Sequence, residues 1–338
     1  MKAYRGKTHN TVFMVIGAFF TMAIGSAALS AECVLFQLNG LDYSESELPP
    51  ALQLALYDLE NDYYQNVEQI LSEALLDIYL QEESERLGKS KKEIKAKLLA
   101  VEKPDEKSIR AFYKIIKDRI KKPYQAVRKQ IAEHLHQQRM DAKKLMLVAD
   151  YRAKNDFKIS LPRPTPPFVK INTEGFPIRG NPNAKITIVE FADYQCSHCK
   201  TASETIKQVA KRFKDQVKVI YMDFPVLGSE TTQLVAQGAV CADKQGKFWA
   251  FHDLAYQHQD SLNRDSPIAL AKEIGLDLRQ FKDCLHSKEA AAKVARAEGE
   301  AKRLQLNSTP TVFVNGKRVI LHDIEQDIIK AIERELAK

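Results

Sequence analysis

The chain has 338 residues, 44% hydrophobic and 28% charged, an ordinary globular composition long enough for two domains with separate cores. Its 51 basic and 44 acidic residues leave a net charge of +7 with both signs interspersed. That pattern reads as a solvated surface, weakly attractive at most to anionic membrane, and argues against nucleic-acid binding.

At the start, Lys2, Arg5 and Lys7 precede the uncharged run TVFMVIGAFFTMAIGSAALSA, residues 11–31. A basic start, an apolar stretch and small residues from Ala27 to Ala31 predict a signal peptide over 1–31. The densest apolar part, Val12 to Ile24, is shorter than the ~20 residues of a spanning helix. An uncleaved membrane anchor is the alternative. Either way the body is expected in the periplasm or cell envelope, where disulfides persist.

VLFQLNGLDYSESELPP, residues 34–50, reads as a short strand, an Asn39-Gly40 turn and a proline-led helix entry. In the helix that follows, apolar residues recur at Leu52, Leu56, Leu59, Tyr63, Val67, Ile70, Ala74 and Ile78. These steps of three and four predict an amphipathic helix ended by Gly88. Ser90 and Glu93 form a capping-box pattern for a shorter helix. Pro104-Asp105 and Pro123 open two more, the second with Val127, Ile131 and Leu135 on one face. The segment ISLPRPTPPFVKIN, 159–172, carries four prolines, so it predicts a stiff linker.

Beyond it the pattern changes. KITIVEFADY (185–194) reads as a buried strand, followed by a helix from about Cys196 to Phe213. VKVIYMDFP (217–225) is a second strand. Residues from 230 to about 306 read as several helices, and TVFVNGKRVIL (311–321) as a hairpin around Asn315-Gly316. A terminal helix closes the chain. The expected division is 1–31, a helical domain 32–160, a linker 161–180, and 181–338 with its helical insertion.

There are five cysteines: Cys33, Cys196, Cys199, Cys241 and Cys284. Cys196-Ser197-His198-Cys199 lies where a strand meets a helix, the setting of thiol–disulfide chemistry. Cys196 at the helix N-terminus would be favoured as a thiolate. The dipole contributes ~0.3–1 kcal/mol, less than one pKa unit, so His198 is expected to add a donor or partial positive charge. Cys196, His198 and Cys199 are also candidate metal ligands, but no second C-x-x-C or C-x-x-H lies near. His134 and His136, two apart on a helix, point to different faces. Ser308-Thr309-Pro310-Thr311 precedes a strand, a place where a cis proline occurs.

Together, the Cys196–Cys199 motif after a buried strand, the helical insertion and Thr309-Pro310 before TVFVNG resemble the DsbA-type thioredoxin-fold oxidoreductases over roughly 168–338. The resemblance implies an α/β thioredoxin fold in which Cys196 attacks and Cys199 resolves. It implies that the Pro310 loop, with Thr309, holds substrate backbone, that His198 tunes the potential, and that Glu190 is the candidate proton relay. It also implies a structural disulfide between Cys241 and Cys284, closing a 44-residue loop at ~4 kcal/mol on the chain-entropy model; two buried free thiols are the alternative. Phe248, Trp249 and Phe251 are expected in the insertion core. The Ser-His dipeptide, where the best-known oxidases have Pro-His, and Thr309 leave the direction of electron flow open. Cys33 is left over as an intersubunit bridge or an inert thiol.

Residues 34 to about 160, with QLNG, PDEKSIRAFYKIIKDRIKKPYQAVRKQIAEHLHQQR (104–139) and the exit into ISLPRP, resemble the N-terminal chaperone domain of SurA-type periplasmic isomerases. That implies an all-α module that cradles unfolded chains or pairs with a second copy as a homodimer. The expectation is an envelope thiol–disulfide oxidoreductase or isomerase acting on unfolded or misfolded exported proteins, without cofactor or metal, with a membrane redox partner. The alternatives are a periplasmic chaperone with secondary redox activity and an envelope metal carrier.

Overall fold

The computed structural model describes residues 34–338, apart from the side chains of Asp118 and Arg119. The expected signal peptide and Cys33 lie outside the described residues. Two units are distinguished, one ending at Glu47 and one running from Leu48 to Lys338. No helix among the described residues is long and apolar enough to cross a membrane.

In the first unit, β1 (Val34–Leu38) pairs antiparallel with β2 (Leu41–Ser44). Asn39 and Gly40 both take positive φ, 52° and 80°, the requirement of a tight two-residue hairpin turn. Phe36 and Tyr43 stack across the pair at 4.8 Å.

The second unit opens with α1 (Pro50–Leu87), 38 residues long. Proline sits in its first turn, and Gly88 ends it in the left-handed region at φ 61°. Next come α2 (Lys91–Leu98), entered through a Ser90–Glu93 capping box, α3 (Glu106–Ile120), capped by Asp105, and α4 (Tyr124–Lys154). The buried face of α1 is Ala51, Leu54, Tyr57, Tyr64, Leu76 and Leu80. The periodic stripe read from the sequence is a different one. Leu52, Leu59, Tyr63, Ile70 and Ile78 are exposed, Leu59 and Ile70 at 67%. The helix is apolar on more than one side, and periodicity cannot tell which side has a neighbour.

Leu76 and Leu80 pack with Ile94 and Val148, while Ile109, Val127 and Ile131 tie α3 to α4. At its root, α1 joins the α/β half. Leu54 enters the core there, Asp58 accepts a hydrogen bond from Arg318 at 2.7 Å, and Gln65 meets His322 at 2.8 Å.

Past the proline segment come β3 (Ile178–Gly180), β4 (Ile186–Ala192), α5 (Ser197–Phe213) and β5 (Val217–Asp223). The insertion is α6 (Glu230–Lys244), α7 (Phe248–Gln257), α8 (Ser266–Glu273), α9 (Leu278–Leu285) and α10 (Lys288–Arg303). Then β6 (Thr311–Val314), β7 (Lys317–Val319) and α11 (Ile324–Leu336) finish the chain. The sheet order is β3-β5-β4-β6-β7. β4 and β5 run parallel; the other pairs are antiparallel. Helices cover both faces, so β4 needs no polar alternation. On one face Ile188, Val219 and Val312 meet Ile206 of α5 and Ile332 of α11. On the other, Phe191, Met222 and Phe313 meet Ala297 and Ala301 of α10.

The insertion is fastened to the sheet by a polar knot. Asp253 of α7 accepts from Arg179 of β3 at 2.6 Å and from Lys207 of α5 at 2.8 Å, with His252 at 2.9 Å. Arg179 also lies 4.1 Å over Trp249. Phe248 and Phe251 are buried, but Trp249 sits at the seam and donates its indole N–H to the Ile178 carbonyl at 2.9 Å.

Candidate functional site

The polypeptide leaves β4 through Asp193-Tyr194-Gln195 and enters α5 at Cys196, which is the helix N-cap. Side chains distant in sequence fix this turn. The buried Asp193 carboxylate accepts from the Gln195 amide at 2.8 Å, the Leu227 amide at 3.2 Å and the Thr232 hydroxyl at 2.5 Å. Gln259, just past α7, donates to the carbonyls of Tyr194 at 2.8 Å and Cys196 at 2.9 Å. From the opposite side, the Thr309 carbonyl lies 3.4 Å from the Cys196 sulfur, and the Thr309–Pro310 bond is cis. Cys196, Cys199, Thr309 and Pro310 are thus brought to one place.

The two sulfurs sit in opposite environments. Both are free thiols, Cys196 partly exposed and Cys199 buried. The Cys196 pKa falls to about 5, chiefly through a hydrogen bond from the Cys199 thiol. Partial burial opposes this, while the Thr309 side chain and the backbone N–H groups of Cys199 and His198 reinforce it. Burial pushes Cys199 far the other way, helped by its neighbour's sulfur. An accessible thiolate beside a shielded thiol is what a nucleophile and a resolving group require.

His198 is exposed, and its contribution to the thiolate comes from its backbone N–H. In the first helical turn the amide points back to the cap while the side chain projects outward. Among the described residues no three His, Cys, Asp or Glu side chains gather as a metal would need.

Glu190 lies in mid-β4, in register with Tyr221 and Val312. It is buried, its Oε1 has no hydrogen-bond partner, and burial raises its pKa to about 8 against the pull of Arg179. Strand alternation puts it on the face of Ala192 and Tyr221, which share a cluster with Cys199. Tyr256 ties Tyr221 to the turn before the cysteine pair: its hydroxyl is 3.0 Å from that of Tyr221 and 3.5 Å from the Asp193 carbonyl. A second acid, Asp223 at the end of β5, is raised to about 8 by burial, with Lys293 opposing and Asp193 reinforcing.

Sequence reading missed Asp193, Gln259, Tyr256 and Asp223. The polar residue closing each of the two apolar strand runs was the available signal for the two aspartates. Nothing marks Gln259. Cys241 of α6 and Cys284 of α9 form a disulfide within the insertion.

A thioredoxin family profile matches residues 172–334. The chain is 31% identical over 170 residues to a probable disulfide bond formation protein D of Bacillus cereus, covering 47% of this chain and 78% of that protein. It is 32% identical over 142 residues to Na(+)/H(+) antiporter NhaA 3 of Salinispora tropica, covering 42% of this chain but only 22% of the antiporter. A thioredoxin-like oxidoreductase from Silicibacter pomeroyi overlays with a TM-score of 0.46 at 29% identity, covering 49% of this chain and 95% of that one. Fold and cysteine pair together define a thioredoxin-fold protein of the C-x-x-C redox class. Within that class, the chain belongs to the DsbA-type family that includes disulfide bond formation protein D.

Proposed function

We propose that the protein is a cell-envelope thiol–disulfide oxidoreductase that forms or rearranges disulfides in exported proteins through Cys196 and Cys199. The carrying observation is the opposition of the two sulfurs: Cys196 is partly exposed with its pKa at about 5, and Cys199 is buried and held as a thiol. In the oxidising direction, a substrate thiolate attacks the Cys196 sulfur of the disulfide. Cys199 leaves as a thiolate and takes a proton. A second substrate thiolate then attacks the substrate sulfur, expelling Cys196 as a stable thiolate. The substrate is oxidised by two electrons and the pair is reduced by two. Starting reduced, Cys196 attacks a substrate disulfide instead, and Cys199 resolves the intermediate.

Exposed Val226 and Leu227 flank the site, the Leu227 amide being bound to Asp193. They supply an apolar lip suited to an unfolded chain. The Thr309-Pro310 loop beside Cys196 supports backbone binding there. In this reading residues 1–31 are the export signal, and the helical module of 32–160 is joined through 161–180 to the catalytic domain. A membrane redox partner resets the pair.

Thiol trapping in the native envelope, run with a Cys196→Ala variant, tests the reading. A mainly oxidised pair means disulfide donation; a mainly reduced pair means reshuffling or reduction. Full turnover in Cys196→Ala would overturn the mechanism.

A second reading rests on the exposed stripe of α1. Leu52, Leu59, Tyr63, Ile70 and Ile78 span about 40 Å at 1.5 Å per residue. We propose that this SurA-like arm holds a client chain or a second copy, acting as a chaperone beside the redox site. Aggregation protection that persists without Cys196 and Cys199 would separate this role from catalysis.

A further inference from the structure

A cavity of about 830 Å³ lies between α1, the proline segment and the β7–α11 corner. Tyr57 and Tyr64 of α1, both buried, form one wall. Arg163 of the proline segment, Arg318 of β7, and Lys330 and Arg334 of α11 line the rest, together with Lys317 and Lys338.

The acids around this cavity are already engaged. Asp58 is bound by Arg318 at 2.7 Å. Glu335 is shared by Lys317 at 3.4 Å and Lys338 at 2.5 Å. Asp327 accepts from the backbone amides of His322 and Asp323, and Glu68 faces Arg152 at 3.5 Å. Among the described residues, Arg163, Lys330 and Arg334 have no carboxylate partner. Arg163 rests 5.5 Å over the Tyr64 ring, and Arg163, Arg318 and Arg334 all act electrostatically on the Tyr57 hydroxyl. Two segments far apart in sequence, the proline segment and α11, therefore bring three uncompensated cations to one concave, aromatic-walled space.

Three cations in one cavity are matched by a ligand that concentrates several negative charges in a short span. Guanidinium groups fork onto phosphate oxygens in pairs. The volume falls in the range of small-molecule sites, roughly 300–1,000 Å³, and exceeds the needs of one isolated phosphate. We propose that this cavity binds a phosphate-bearing oligoanion, bridging α1 and the proline segment to α11. The source is either a soluble phosphate compound or a phospholipid headgroup. The inference does not depend on the redox reading, since none of these residues touches the cysteine pair.

Titration calorimetry of the full chain with pyrophosphate at low salt tests it, alongside co-sedimentation with vesicles of phosphatidylglycerol in phosphatidylcholine. The expected result is saturable one-site binding to pyrophosphate or to the vesicles, weakened about tenfold or more in Arg163→Gln/Arg334→Gln, as loss of charge-assisted hydrogen bonds implies. Pyrophosphate binding assigns a soluble ligand; vesicle binding alone, with the same loss, assigns a headgroup. The Lys330→Gln variant should weaken binding in the same direction, and thiol exchange at Cys196 should be unchanged in both as the check on folding. Absence of saturable binding to both probes, or binding that the double variant and Lys330→Gln leave intact, overturns the proposal.

Discussion

Replacing Cys199 by alanine removes the hydrogen bond that contributes most to the acidity of Cys196. A hydrogen bond to a charged group is worth roughly 1.5–3 kcal/mol, and each pKa unit corresponds to about 1.36 kcal/mol. Cys196 is partly exposed, so solvent screening favours the lower end. The thiol should become a roughly tenfold weaker acid. Ultraviolet thiolate absorbance followed against pH reads this directly. Cys199→Ser supplies a hydroxyl donor at the same place and should restore most of the acidity. If the alanine variant titrates like the wild type, the Cys199 bond is not the source. If serine shifts Cys196 as far as alanine does, altered packing rather than a hydrogen bond governs the acidity.

Glu190→Gln should flatten the pH dependence of stability. The folded-state pKa of Glu190 is raised from 4.5 to about 8, so its contribution is full below 4.5 and is lost as pH rises through 8. The variant should gain stability over wild type on the alkaline side, by a few kcal/mol in denaturant titrations; equal alkaline stability would contradict a buried acid. Removing the insertion disulfide with Cys241→Ala/Cys284→Ala frees a loop with a separation of 43 residues and should cost ~4 kcal/mol. An unchanged denaturation midpoint would refute that. At Gly238 an added Cβ would lie 2.8 Å from Phe251 and 3.1 Å from Pro267, so Gly238→Ala should destabilise by ~1–3 kcal/mol, seen as a lowered thermal midpoint.

Much of the α/β half was legible because its signals are local. The run 185–194 had to be buried on both faces, and β4 is. The motif at Cys196 marks a strand-to-helix junction, and the helix begins at Ser197. β3 was not legible: three residues, Ile178–Gly180, carry too short a pattern and exist as a strand only through pairing with β5. The stripe on α1 failed as a guide to its core for a related reason. Leu54 is buried because it joins the core of the α/β half, a long-range fact that a 3.6-residue period does not contain. At the site, the acidity of Cys196 rests on Cys199, Thr309 and two amides. The first and last were local in the sequence; Thr309 was marked by the proline after it, but its place beside the cysteine pair came only through the resemblance. The anchoring by Gln259 and Asp193 depends on how the insertion folds back over the turn.

The unequal sulfurs also set a proton count. Above pH 5 the reduced Cys196 is mostly ionised, whereas Cys199 keeps its proton. Reduction of the pair by two electrons then takes up one proton, where an ordinary dithiol takes up two. The midpoint potential should fall by only about 30 mV for each rise of one pH unit near neutrality, and by about 59 mV on the acid side of the Cys196 transition. A compartment whose acidity drifts with its surroundings would therefore change this protein's oxidising strength about half as much as it changes that of an ordinary dithiol.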